Sequence, residues 1–184
     1  MVTSMERPWI KGGVRIKKAV IERVDQEAIA GYAKDEESCG LLTGPASDGL
    51  LVDTIVPMVN RAKKLHELDP ETYPRTARMY FDLDPLQFQR AIESGDAEGK
   101  PVKVLYHSHL DVGAYFSETD AAAAKMGGDA PAYALAYLVT SVKKVDGSAE
   151  GRTSQTTARV DDRKLFVWDE ATKAFVEAEL RVVE

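Results

Sequence analysis

Val102-Lys103-Val104-Leu105-Tyr106-His107-Ser108-His109, followed closely by Ser117-Glu118-Thr119-Asp120, is the stretch on which the reading of this chain turns. The first run is apolar and β-rich and ends at a polar loop, so it predicts a strand. Side chains two apart on a strand point the same way, which places His107 and His109 on one face with Cα atoms roughly 6.5 Å apart. Both imidazoles can then reach one zinc ion at about 2.0–2.1 Å. Ser117-x-x-Asp120 before an Ala-rich run has the form of a capping box. It predicts a short helix from Ser117 to about Met126, stopped by Gly127-Gly128. Asp120 would sit on the first turn, where the helix dipole favours a carboxylate. Two His, one carboxylate and a fourth position left for water make a catalytic rather than a structural zinc arrangement.

Each part alone has a plainer reading. A capping box accounts for Ser117 and Asp120 without any metal, and a lone His is more often a packed or solvated residue. Histidine is scarce here, however, with two of the three in the chain sharing one tripeptide, and the two signals at close spacing favour a metal. A hydrolytic zinc site also needs a general base that is not itself a ligand. Upstream, Asp35-Glu36-Glu37-Ser38-Cys39-Gly40-Leu41-Leu42-Thr43-Gly44 runs from an acidic helix end into a short apolar strand. Glu37 would open that strand on the face of Cys39, Leu41 and Thr43. A Glu-Glu pair at such a junction is also commonly a solvated cap.

Taken together, Glu37-Ser38-Cys39-Gly40-Leu41-Leu42-Thr43-Gly44, His107-Ser108-His109 and Ser117-x-x-Asp120 resemble the JAMM (MPN-plus) zinc metalloproteases, in the right order and with eleven positions from His109 to Asp120. Asn60 falls where that family tends to place an Asn after its second strand. The resemblance covers roughly residues 14–142. It implies one α/β domain, a mixed central β-sheet flanked by helices, cytidine-deaminase-like in architecture. It implies one zinc ion per chain held by His107, His109 and Asp120, with Glu37 as general base and Ser117 as donor to a developing oxyanion. Compact prokaryotic members process ubiquitin-like or sulfur-carrier proteins ending in Gly-Gly, at a peptide or isopeptide bond, and that is the substrate and partner expected here. The long loop 61–80 is the candidate for gripping the globular part of that partner. A non-catalytic MPN-type binding module is the alternative, and a homodimer is left open. Two departures stand out: Leu110 replaces the usual Pro after the second His, and Phe116 replaces the Pro often found before the motif Ser.

Other chemistries lack their signatures. His66-Glu67 is not followed by the second His of a His-Glu-x-x-His helix, and the single Cys39 excludes a zinc-deaminase Pro-Cys-x-x-Cys element. There is no Gly-x-Ser-x-Gly elbow and no Gly-rich phosphate loop. One cysteine also excludes an internal disulfide; Cys39 reads as a small buried hydrophobe, and His66 as a surface residue. Net charge is −6 with Lys and Arg mixed among acids, which argues against nucleic acid as the main partner. No apolar run reaches a membrane span and Met1–Gly13 has no signal-peptide core, so cytoplasmic residence is expected.

The coarse order is α/β. An N-terminal segment, 1–13, precedes a domain over 14–184 whose last part, 143–184, forms a C-terminal β extension. Residues 16–34 carry a helical apolar pattern, and strands follow at about 38–44 and 50–59, joined by a Gly/Pro turn. Residues 60–80 read as a charged loop. Asp84-Pro85 starts a helix through about Ser94, with Asp84 as N-cap and Pro85 at its first position. Residues 133–142 read as a buried strand. After a polar stretch, Lys143–Gln155, the pieces Thr156–Val160, Lys164–Trp168 and Ala174–Val182 alternate like edge strands, with a hairpin turn at Asp169–Lys173.

Overall fold

A computed structural model describes residues 6–145 and 157–184. It is one α/β domain with a mixed sheet and four helices. The end of the polar stretch before Gln155, the start of the predicted strand at Thr156 and the first five residues lie outside the described part. Among the described residues, no helix is long and apolar enough to cross a membrane.

The core of the fold is a six-stranded sheet in the order β4-β2-β5-β6-β7-β8: β2 Cys39–Thr43, β4 Thr54–Met58, β5 Val102–Leu110, β6 Ala136–Lys144, β7 Ala158–Asp169 and β8 Ala174–Ala178. Strands β5 and β6 run parallel, and the other neighbours are antiparallel. All nine residues of β5 are buried, the signature of a central strand covered on both faces. Helix α1 (Lys18–Ala33) covers one face. It turns Val20, Ile21, Val24 and Ala28 inward, and its cluster reaches Leu42, Tyr106 and Leu138. Helices α3 (Pro85–Ala97) and α4 (Glu118–Lys125) lie over the other, where Leu41, Leu105, Val139 and Tyr137 meet Phe88, Ile92 and Ala124. The histidines emerge on this second face.

A second sheet, β3-β1-β9, joins β1 (Val14–Lys17), β3 (Leu51–Val52) and β9 (Leu180–Val183), all parallel. It accounts for three corrections to the sequence reading. The helix expected from residue 16 starts at Lys18, because Ile16 is a strand residue between Val52 and Val182. The strand expected over 50–59 is broken at Asp53, its first half serving β1 and its second half β2. The tail does not end as one edge strand: β8 closes the large sheet, while β9 crosses to the small one. Moreover, β7 is one continuous strand with neighbours on both sides, not two edge pieces. The charged loop 60–80 contains a helix, α2 (Ala62–Leu68).

Trp9, in a 3-10 turn over Pro8–Lys11, is fully buried and donates its indole N–H to the Ala134 carbonyl at 2.8 Å. Beneath it Lys103, fully buried on β5, donates to the carbonyls of Pro45, Asp48 and Leu51 at 2.7–2.9 Å. Burial lowers this ammonium's pKa to about 8. The bonds tie the turn between β2 and β3 to the central strand.

Candidate metal centre

Four segments build the site. The end of β5 carries His107 and His109, both buried. Strand alternation puts them on one face, and their Nε2 atoms lie 3.1 Å apart. Helix α4 supplies Asp120 through the capping box read from the sequence: Ser117 accepts from the Asp120 N–H at 3.1 Å, and Asp120 Oδ2 accepts from the Ser117 N–H at 2.8 Å. Oδ2 stands 3.4 Å from His107 Nε2 and 3.5 Å from His109 Nε2. The capping bond and the approach to both histidines therefore coexist in one Asp120 side chain.

These distances test whether the trio fits a metal. A tetrahedral ion with bonds of about 2.0–2.1 Å needs ligand atoms about 3.3–3.4 Å apart, and the three separations of 3.1, 3.4 and 3.5 Å average to that edge. Protonation agrees. His109 Nδ1 lies 2.9 Å from the Gly113 carbonyl, which can only accept, so Nδ1 carries the proton and Nε2 offers a lone pair. Burial lowers the pKa of His107 and keeps it neutral despite Asp120. Burial alone would raise Asp120, but its interactions with His107, His109 and Ser117 outweigh it and hold the carboxyl far below its usual range. Two imidazoles converge on an ionised carboxylate, a donor set suited to zinc. Among the described residues no other trio of His, Cys, Asp or Glu converges in this way.

Glu37 lies just outside β2, two residues before Cys39, which pairs with His107. It is buried, and burial followed by the charge of Asp120 pushes its carboxyl up to about 9. Close approach of the backbone makes this placement: a Cβ on Gly31 would meet the Glu36 carbonyl at 2.6 Å, and one on Gly40 would strike the Val56 carbonyl at 2.5 Å. Ser117 is more committed than its assignment as an oxyanion donor requires, since its hydroxyl donates to Asp120 Oδ2 at 2.7 Å.

Asn60 holds the pieces together. Its amide donates to the carbonyls of Glu37 and Tyr80, each at 3.0 Å, and its oxygen accepts from the Ala62 and Asp82 N–H groups. One side chain thus fixes the Glu37 segment, the start of α2 and the extended piece 80–82. Behind the site, Ser108 Oγ accepts from the Ser38 N–H at 2.8 Å and from its hydroxyl at 3.1 Å, and Ser108 N–H donates to the Ser38 carbonyl. Ser108 separates the two histidines and Ser38 follows Glu37, so this clamp sets Glu37 against the histidines. Alternation along β5 was the signal that Ser108 points away from the face of the two histidines; nothing in the sequence marked its partner.

The two missing prolines are replaced by packing. Leu110 extends β5 by one residue opposite Val142, and the chain turns at Asp111 with φ 63°. Phe116 wedges against Tyr137, Phe166 and Phe175 with centroids 4.6–5.6 Å apart, fixing the residue before Ser117. Phe81 stacks on His107 at 4.6 Å, an orienting contact that no sequence signal announced, while His107 Nδ1 is buried without a partner. Cys39 is a buried thiol against the Met58 carbonyl, pushed up to about 12 by burial and then by the Glu37 charge. His66 lies apart, bonded to the Tyr73 carbonyl.

Solved structures are similar in fold. A solution structure of a protein from Desulfitobacterium hafniense is similar at 22% identity, with 93% of each chain covered and a TM-score of 0.56. One from Salinibacter ruber is similar at 18% identity, covering 93% of this chain and 92% of that one, with a TM-score of 0.51. A crystal structure of a JAB1/MPN domain protein from Archaeoglobus fulgidus is similar at 16% identity over 93% of this chain and all of its own, with a TM-score of 0.47. Among curated proteins none matches the chain. The sequence profile of Prok-JAB, the prokaryotic homologs of the JAB domain, matches residues 22–156, which span β2 through β6 and every residue of the site. By that match this chain belongs to the prokaryotic JAB family.

Proposed function

We propose that this protein is a zinc-dependent hydrolase that cleaves a peptide or isopeptide bond at the C-terminal Gly-Gly tail of a ubiquitin-like or sulfur-carrier protein. The observation that carries the reading is the triangle of His107 Nε2, His109 Nε2 and Asp120 Oδ2, with edges of 3.1–3.5 Å, beside the buried carboxyl of Glu37. Zinc in a three-ligand site supplies Lewis acidity and makes water a nucleophile near neutral pH. The rest falls to the chain. Glu37 takes the proton from the attacking water and passes it to the leaving amine. A dication nearby opposes the effect of Asp120 and favours the ionised, basic form of Glu37. Ser117 holds Asp120 in place, and its hydroxyl reaches an oxyanion only by releasing Oδ2. A Gly-Gly tail suits a buried trio because glycine lets a backbone approach closely.

Zinc stoichiometry by elemental analysis, with the Asp120→Ala variant alongside, tests the metal. About one zinc per chain, lost or weakened in the variant, is expected. Hydrolysis of Gly-Gly-ending carrier fusions by the wild type and not by Glu37→Gln tests the chemistry. No zinc after reconstitution would overturn the reading in favour of a binding module.

A further inference from the structure

Beside the ligand trio lies a cavity of about 260 Å³ that the chemistry above leaves unused. It opens between α3, α4 and the sheet, walled by Phe88, Leu105, Phe116, Tyr137 and the two alanines Ala123 and Ala124. Asp120 belongs to the same wall, so cavity and metal cluster are continuous. Of its two carboxylates, Asp82 is paired with Arg61 at 2.6 Å and Asp120 is occupied by Ser117 and the histidines. No charge is left over to receive an ionic group. Ala123 and Ala124 keep the space open, since longer side chains at either position on α4 would fill it.

Size and position name the occupant. A cavity of about 150 Å³ lined by apolar side chains is enough for benzene, so this one has room for a phenyl group or a branched aliphatic chain. On the Gly-Gly reading, on which this step rests, the acyl side brings no side chain to the metal. The side chain that meets the wall next to Asp120 then belongs to the residue on the leaving side. We infer that the cavity is a subsite for a large apolar side chain on that residue. The substrate is accordingly a carrier extended past Gly-Gly by a residue such as Phe or Leu. Hydrolysis breaks the amide C–N bond, adds the hydroxyl of water to the glycine carbonyl carbon and leaves the proton on the departing amine.

The test is calorimetric binding of tail peptides Gly-Gly-X-amide, with X as Phe, Leu, Ala or Asp, to zinc-loaded Glu37→Gln protein. Phe and Leu should bind roughly ten- to a hundredfold more tightly than Ala, and Asp more weakly than Ala. The preference should disappear in both Ala123→Phe and Ala124→Phe; the first site is exposed, so one filling does not disturb the core. Equal or absent binding across X, or a preference that survives both fillings, overturns the subsite. Turnover of the same peptides by wild-type protein separates the two claims. Cleavage indifferent to X refutes the subsite alone, whereas no cleavage of any peptide refutes the hydrolase reading and leaves the binding series to judge the cavity.

Discussion

Replacing Glu37 by Gln should make the zinc-free protein more stable. Burial, helped by the charge of Asp120, raises the Glu37 carboxyl from 4.5 to about 9, and the side chain is only 5% exposed. Between those two values the native state keeps a proton that the unfolded chain has released. The native state therefore binds more protons, and stability falls as pH rises. The contribution of this group is whole below pH 4.5 and is eroded up to about 9. At pH 7 the gap from 4.5 is about 2.5 units at about 1.36 kcal/mol each, or roughly 3 kcal/mol. Glutamine fills the same space without that term, so the variant should gain about 2–3 kcal/mol at pH 7 and under about 1 kcal/mol at pH 5. For a chain of this size that is a Tm rise of roughly 5–10 °C at pH 7. Thermal and urea unfolding in chelator at pH 5, 7 and 8.5 measures it. Added zinc should stabilise wild type more than the variant, because the ion favours the carboxylate. A variant less stable than wild type at pH 7, or with an advantage that does not shrink towards pH 5, would refute the reasoning.

Two further substitutions probe the scaffold. Lys103→Met strips three buried carbonyls of their charged donor; each bond is worth about 1.5–3 kcal/mol, partly offset by no longer burying an ammonium, so a net loss of about 2–4 kcal/mol is expected in urea unfolding. An unchanged midpoint would mean that water reaches the 45–51 turn. Ser108→Val removes the acceptor of the Ser38 N–H and should cost about 1–3 kcal/mol. If the clamp positions Glu37, the variant keeps its zinc but loses kcat by at least about tenfold at similar KM, and Ser108→Thr restores it; equal loss in both variants would reduce the clamp to packing.

Where local chemistry decided the structure, the sequence was enough. The capping box, the Asp84 cap that accepts from the Leu86 and Gln87 N–H groups, and the alternation along β5 are each set by a few neighbouring residues, and they placed His107, His109 and Asp120. What failed depended on partners far along the chain. Ile16 fits a helical period as well as a strand, and only Val52 and Val182, remote in sequence, decide between them. Trp9 gives no sign that Ala134 awaits its indole, 125 residues on. Helix α2 has Arg61 at its N-cap, with no capping bond from that side chain, and no long apolar face, so its seven residues read as loop.

Asn60 shows how the two kinds of information meet. Its type suits a turn, and a local reading predicts no more than the bond to the Ala62 N–H. The other three bonds run to Glu37, Tyr80 and Asp82 and bind the Glu37 segment, the extended segment and α2 into one unit. All four hydrogen-bonding capacities of that amide are spent, so no smaller or charged residue can replace it without orphaning a buried group. The trio of His107, His109 and Asp120 is legible because a strand and a helix cap present it locally. The placement of Glu37 is not, because a single amide sets it across three separate stretches of chain.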